Sequence, residues 1–374
     1  MSDLWVRGGA SVDGTPLDVA IVGGRVSAGG ASAGTTTYDA SGLTVLPGLI
    51  DLQVNGVAGV DLTLEPDRLW EVAAALPVHG VTAFVPTVIT SAPEARTAAL
   101  GALRAGPPAG WRGARPLGLH LEGPMLSAER KGAHPERWLR LPSAELVAGW
   151  SRAAGVAVVT LAPELPGALD VVAALAERGV LVSVGHTAAT ADQVAAAVDR
   201  GARLVTHLGN AMPPLAAREP GPVGVALGDP RLCAGVIADG HHLGAATLAA
   251  YWRALGPQRF VAVTDCTAAL GLPDGTTRLG DQHVEVRDGT VRLADGTLAG
   301  SAASLPQCLR VLRSATGCTL AEAVAACTST PGGLVGADGH GRLDPGARGD
   351  LTLVDGDLTV VATIVGGEVL REAR

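Results

Sequence analysis

The sequence predicts an α/β fold, a (β/α)8 TIM-type barrel with a small β-sandwich formed from both termini, and three observations predict it. Eight short β-branched, apolar runs recur between about residues 45 and 330. Ala/Leu-rich stretches of helical periodicity separate them, the alternation expected of a closed parallel sheet. The two ends read differently, as Gly-broken alternating runs that cannot bury a core alone.

In chain order the predicted strands are VLPGLI (45–50), VTAFVP (81–86), PLGLHL (116–121), VAVVTLA (156–162), VLVSV (180–184), RLVTHL (203–208), LCAGVI (232–237) and FVAVT (260–264). The predicted helices between them are PDRLWEVAAAL, APEARTAALGAL, SAELVAGWSRAA, ALDVVAALAER, TADQVAAAV and AATLAAYWRAL. Thr190 and Gln193 have capping-box spacing ahead of the fifth. Residues 1–46 and 346–374 are assigned to the β-sandwich and 47–345 to the barrel, against the competing reading of two loose extensions.

Composition excludes several classes. The chain of 374 residues is 47% hydrophobic but 3% aromatic, so its apolar character comes from Ala, Val and Leu. No apolar run approaches the roughly 18 residues of a membrane span, and MSDLWVRGG lacks the regions of a signal peptide, so a cytoplasmic protein with no membrane partner is expected. A net charge of −8 and the absence of any Lys/Arg block argue against nucleic acid. Cys233, Cys266, Cys308, Cys318 and Cys327 show no C-x-x-C spacing and are read as free thiols. Lys131 is the sole lysine.

The unusual polar residues collect where a parallel barrel places its chemistry, at the C-terminal ends of strands. They are Glu122 after GLHL, His186 after VLVSVG, His207 in RLVTHL, Asp239 with His241 and His242 after AGVIA, and Asp265 after VAVT. A lone buried histidine is usually a satisfied core residue, but scattered core histidines have no reason to share one end of several strands. His186 and His207 lie 21 residues apart, about one βα repeat, so they project from neighbouring strands and converge with Glu122 on one cation. Three N/O ligands with an open position describe a catalytic metal site rather than a closed structural one. Zinc leads, and iron, cobalt or manganese accept the same set. Asp265 is assigned as general base and acid, in preference to a helix cap or a fourth ligand.

Eight motifs then run in order between residues 119 and 301, in a resemblance that covers essentially the whole chain: LHLEGP (119–124), KGAH (131–134), VGHT (184–187), THLGNAMPPL (206–215), REPG (218–221), IADGHH (237–242), VTD (263–265) and LAGS (298–301). With PGLIDLQVNG (47–56), the chain resembles the N-acetylglucosamine-6-phosphate deacetylases of the amidohydrolase superfamily. The resemblance implies hydrolysis of the acetamide of N-acetylglucosamine 6-phosphate to glucosamine 6-phosphate and acetate, in amino-sugar catabolism and cell-wall recycling. It implies that Glu122, His186 and His207 bind one divalent metal ion per subunit and that Asp265 transfers the proton. His134 would contact the scissile carbonyl beside Ala133. Substrate contacts are implied for Asn210, Ala211, Arg218, the segment Asp239, Gly240, His241 and His242, and Leu298, Ala299 and Gly300. His241 stands where the family often has an apolar residue. A homodimer is implied, with Arg218 reaching the phosphate in the neighbouring subunit's site.

The chain departs from many amidohydrolases at the first strand, where Gln53-Val54-Asn55 replaces His-x-His. Since Lys131, the sole lysine, follows the third strand's motif loop, no lysine is placed to bridge two metals, which weakens binuclear readings. The alternatives are a deacetylase of the galactosamine 6-phosphate epimer, another mononuclear amidohydrolase, and a metal-free scaffold barrel. The small turn Gly209-Asn210-Ala211 is expected to let the backbone approach the sugar phosphate.

Overall fold

In the structure, a computed structural model that describes residues 3–30 and 34–372, the β-branched runs become eight parallel strands. They are β1 Leu49–Val54, β2 Val81–Ile89, β3 Leu119–Glu122, β4 Val156–Leu161, β5 Leu181–Val184, β6 Ala202–Val205, β7 Cys233–Ile237 and β8 Phe260–Val263. They pair in sequence order from β1 to β8. Both faces of most are buried, which is why they read as continuous apolar runs rather than alternating ones.

Closure between β8 and β1 is thin. It consists of a bridge between Val54 and Cys266, with Asn55 N–H donating to the Cys266 carbonyl at 2.8 Å. Asp51 reinforces the seam: its carboxylate accepts from Thr264 Oγ1 at 2.5 Å and from Thr264 N–H at 3.3 Å. Burial pushes this carboxyl up to about 6, against the lowering effect of those bonds.

A polar chain crosses the barrel below its C-terminal mouth. His120 on β3 bonds Thr87 on β2 through Nδ1 (3.2 Å) and Thr160 on β4 through Nε2 (2.7 Å). Thr160 meets Thr206 at 2.7 Å, and Thr206 meets Ser183 on β5 at 2.6 Å. Because β4 and β6 are not neighbours in the sheet, a bond from Thr160 to the residue following β6 runs through the interior.

Both termini contribute to one eight-stranded, mainly antiparallel sheet, in the order Glu368–Glu372, Val360–Val365, Leu351–Val354, Thr44–Pro47, Leu4–Ala10, Pro16–Val22 and Arg25–Val26, with Thr36–Asp39 also pairing Leu4–Ala10. Its own core forms around Val6, Ile21, Val45, Leu351, Leu353 and Ile364. Thr44–Pro47 pairs with Leu351–Val354 here, so the apolar run read as the first barrel strand is split, and β1 begins at Leu49 rather than residue 45. Gly48 separates the two strands, and a Cβ there would stand 2.1 Å from Thr82 Oγ1.

Two other expectations are corrected. The stretch from Ser143 to Ala154 forms turns, not a helix: Ser143 Oγ takes the Leu146 N–H, and Gly149 and Gly155 interrupt propagation. An antiparallel sheet not foreseen, Gly275–Leu279, Gln282–Arg287, Thr290–Arg292 and Leu298–Ser301, follows β8 over the barrel mouth. The capping box is present, with Thr190 Oγ1 accepting from Gln193 N–H and Gln193 Oε1 from Thr190 N–H. No helix among the described residues is long and apolar enough to cross a membrane.

Candidate active site

Glu122 ends β3, whereas His186 and His207 each stand two residues beyond the ends of β5 and β6. The histidine at 207 is therefore in the turn after its strand rather than in the strand. His186 (φ 48°), His207 (φ 31°), Ala211 (φ 51°) and Asp265 (φ 51°) all adopt left-handed backbone. Each such non-glycine residue costs on the order of 1–3 kcal/mol, so the surrounding fold must hold them there. This strain aims the side chains back over the barrel mouth.

His186 Nε2 lies 3.3 Å from Glu122 Oε1, His207 Nε2 lies 3.2 Å from the same oxygen, and the two Nε2 atoms are 3.0 Å apart. All three residues are buried, and they form the one such metal-capable group among the described residues. His186 Nδ1–H donates to the Arg130 carbonyl at 3.0 Å, which leaves the Nε2 lone pair facing inward. Three electron-pair donors converge on one point. Ligands about 2.0–2.1 Å from a tetrahedral cation would be separated by about 3.3 Å, close to the spacings here, so the residues fit such an ion.

Gln53 and Asn55, at the end of β1, face this group as hydrogen-bond donors. Gln53 Nε2 donates to Glu122 Oε1 at 3.2 Å and Asn55 Nδ2 to Asp265 Oδ1 at 2.7 Å. Burial first, and then the Glu122 charge, push the Asp265 carboxyl up to about 7; the Asn55 bond and His207 oppose this. Burial likewise raises Glu122, but hydrogen bonds from His186 and His207 outweigh it and hold that carboxyl well below its usual range.

His134 lies 3.9 Å from Glu122 Oε2 through Nε2, and its Nδ1 accepts the Thr90 N–H at 3.3 Å. Burial, then the neighbouring His186, hold this imidazole well below its ordinary range, so it is neutral with its proton on Nε2.

The cavity above these groups has a volume of about 300 Å³. Twelve predicted residues line it: Glu122, Ala133, His134, His186, His207, Asn210, Ala211, His242, Asp265, Leu298, Ala299 and Gly300. Leu298–Ser301 is the edge of the unforeseen sheet, which is how residues distant in sequence reach the site. A side chain at Gly300 would place Cβ 2.8 Å from the Asp265 carbonyl. Asp239 stands behind the wall, bonding His242 Nδ1 at 2.7 Å while accepting from the N–H groups of His241 and His242, so it positions His242.

Asp239, Gly240 and His241 do not themselves line the cavity, and His241 is exposed. Arg218 is also absent from the lining; it sits on an exposed stretch within this single chain. Gly209 is small for a different reason than expected: a Cβ there would meet the Tyr251 hydroxyl at 2.8 Å, so packing accounts for it. Ile89, Glu129, Arg130, Gly132, Ile237, Leu279 and Thr297 line the cavity without having been singled out. Ile89 and Ile237 end β2 and β7 and were findable by the strand-end rule, whereas Leu279 and Thr297 carry no signal short of the folded sheet.

Known proteins share this architecture. The chain is 40% identical to N-acetylglucosamine-6-phosphate deacetylase of Rattus norvegicus, covering 99% of this chain and 92% of that one. It is 38% identical to N-acetylgalactosamine-6-phosphate deacetylase of Escherichia coli O157:H7, over 86% of each. A mutant of the Mycobacterium smegmatis N-acetyl-D-glucosamine-6-phosphate deacetylase, solved in complex with N-acetyl-D-glucosamine-6-phosphate, superimposes with a TM-score of 0.89 at 34% identity, over 99% of this chain and 100% of that one. The amidohydrolase family pattern spans residues 44–370, from the last N-terminal sheet strand before β1 into the final strand. Barrel, strand-end cluster of metal-capable side chains and near-complete alignment agree: the chain belongs to the amidohydrolase family, among the N-acetylglucosamine-6-phosphate deacetylases.

Proposed function

We propose that the protein hydrolyses the acetamide of N-acetylglucosamine 6-phosphate, releasing acetate and glucosamine 6-phosphate. The observation that carries this reading is the convergence of Glu122, His186 and His207 with Asp265 and His134 in one cavity. A divalent cation held by Glu122, His186 and His207 supplies, when bound, a Lewis acid that acidifies water and polarises a carbonyl. Zinc is the first choice, with iron, cobalt and manganese compatible with the same ligands. One ion per chain is the reading, since Gln53 and Asn55 offer amide donors where a second site would need imidazoles.

Asp265 takes the proton from the attacking water. Asn55 occupies its Oδ1, leaving Oδ2 for the transfer. As the C–N bond breaks, the same carboxyl returns the proton to the leaving nitrogen, so water and acetamide become acetate and amine. His134 donates Nε2–H to the carbonyl oxygen as negative charge gathers there. Asn210, Ala211, Leu298, Ala299 and Gly300 frame the sugar, and His242, held by Asp239, offers Nε2 to its polar groups.

The anchor for the 6-phosphate is Arg218 of a second copy in a homodimer, a reading supported by its exposure and by its absence from the cavity wall of its own chain. A charged sugar phosphate does not cross membranes unaided, which places the enzyme with its substrate in the cytoplasm.

A relative named for the galactosamine epimer makes that substrate the second reading. Steady-state rates on the two epimeric 6-phosphates and on unphosphorylated N-acetylglucosamine test the proposal. A higher kcat/KM for N-acetylglucosamine 6-phosphate than for the other two is expected, and preference for the galactosamine epimer overturns it.

A further inference from the structure

A second cavity, of about 260 Å³, is lined by Ser91, Pro93, Arg96, Trp138, Arg140 and Ser143, with Leu141 and Leu146 beside them. None of these residues lines the catalytic cavity. Among the described residues two arginines and no carboxylate line it, in a chain whose net charge is −8.

Arg96 is half-buried, with its guanidinium 5.5 Å from the Trp150 ring, and makes no ion pair or hydrogen bond among the described residues. Burial first, and the Arg140 charge second, hold it below the usual guanidinium range, with the Glu94 charge opposing them from outside the cavity wall. Among the described residues Arg140 uses only Nη1, on the Arg137 and Leu139 carbonyls at 3.0 and 2.7 Å, leaving Nε and Nη2 unengaged. Two guanidinium groups facing one small cavity with no carboxylate in its lining repel each other, and an oxyanion between them removes that repulsion while accepting forked hydrogen bonds.

The other walls suit such a ligand. Ser91 Oγ is buried with no hydrogen-bond partner among the described residues. Ser143 contributes a second hydroxyl, while Trp138, Leu141 and Pro93 present apolar surface to the ligand's body. Arg140 Cζ lies 5.9 Å from the Trp138 ring centre, which biases the guanidinium toward the cavity wall.

The cavity is one peptide away from Thr90, the residue that holds His134. Ser91 follows Thr90, whose N–H holds His134 Nδ1 and whose hydroxyl donates to the Glu122 carbonyl at 3.2 Å. On the opposite wall, Arg140 N–H donates to the Pro124 carbonyl, tying the cavity to the loop that carries Ala133 and His134.

We propose that Arg96 and Arg140 form a second oxyanion site, separate from the substrate cavity, which binds a phosphate group and modulates turnover through Thr90 and His134. The ligand is free phosphate or the phosphoryl group of a small phosphorylated metabolite, because both present the same tetrahedral oxyanion. The site is independent of which epimer the enzyme deacetylates.

Equilibrium dialysis of the metal-loaded full-length enzyme tests it, using labelled inorganic phosphate in one arm and labelled glucose 6-phosphate in the other. Relative to the parent, R96Q/R140Q should lose one bound equivalent per chain. Loss in the phosphate arm alone identifies free phosphate as the ligand, and loss in both admits the sugar phosphate. Arg140 is exposed, so R140Q alone leaves the core untouched and should weaken that equivalent at least tenfold. With unphosphorylated N-acetylglucosamine as substrate, added phosphate should change kcat of the parent at least twofold and leave R96Q/R140Q unchanged. Equal binding stoichiometry and affinity in parent and variants overturns the site; binding lost without any difference in the kcat response overturns the coupling.

Discussion

Asn55 Nδ2 donates to Asp265 Oδ1 at 2.7 Å, joining the end of the first barrel strand to the residue that follows the eighth by two positions. The bond crosses the thin seam of the barrel and restrains the acid without neutralising it. An amide at position 55 thus holds the Asp265 carboxyl, the proposed proton-transfer group, where an imidazole would compete for a cation.

Asp265→Asn should retain metal and lose turnover, because an amide cannot accept the water proton. General acid–base catalysis is usually worth about 10²- to 10⁴-fold, so kcat should fall within that range. His207→Ala should lose both metal and activity. Metal content measured beside kcat separates the two, and a loss smaller than tenfold in Asp265→Asn reassigns the base.

His134→Ala should keep its metal and lower kcat by about 10²- to 10³-fold, the usual cost of removing one donor to a developing oxyanion. Its Nε2 lies 3.9 Å from the nearer Glu122 oxygen and its Nδ1 is occupied by the Thr90 N–H. Substantial metal loss in this variant would instead make His134 a ligand.

Arg218→Ala should raise KM strongly for the 6-phosphate substrate and leave N-acetylglucosamine itself little changed, since only the former presents the anion. Mixing Arg218→Ala with Asp265→Asn subunits is the sharper measurement. A mixed dimer regains one intact low-KM site if the arginine acts across the interface, and regains none if it acts within its own chain.

The buried seam should titrate. Asp51 has its carboxyl raised from 3.8 to about 6, so the folded state holds this proton to higher pH than the unfolded chain does. Its contribution to stability is therefore greatest below about pH 4 and is lost as pH rises through about 6, by roughly 3 kcal/mol. Asp51→Asn removes that slope. Urea midpoints of the metal-free parent and variant between pH 4.5 and 7 should converge or cross as pH changes, and parallel curves would show that Asp51 does not titrate there.

Much of this site is legible before folding because a parallel barrel has one chemical end. Glu122, His186, His207 and Asp265 could be read from local sequence alone: each follows an apolar run, and the repeat length brings successive run ends to the same mouth. Four of the five outer helices between residues 93 and 259 were equally local, including the Thr190 cap, whereas Gly221–Gly228 was not read from the sequence.

What only tertiary structure decided depends on contacts between distant segments. The apolar run at 45–50 was divided between two sheets because Thr44–Pro47 found Leu351–Val354, some 300 residues away, as its partner. The antiparallel sheet from Gly275 to Ser301 brought Leu279 to the cavity; Val284 and Val286 alternate inward along one of its strands, but no local pattern says that the sheet lies over the barrel mouth. Asp51 reads as an ordinary acidic residue until Thr264 closes the barrel against it. Periodicity and strand-end position are properties of neighbours in sequence, so the chain determined by itself its barrel and which side chains stand at the barrel's mouth; the pairing of strand edges and the raised pKa of a buried acid are properties of neighbours in space, and only the closed fold supplies them.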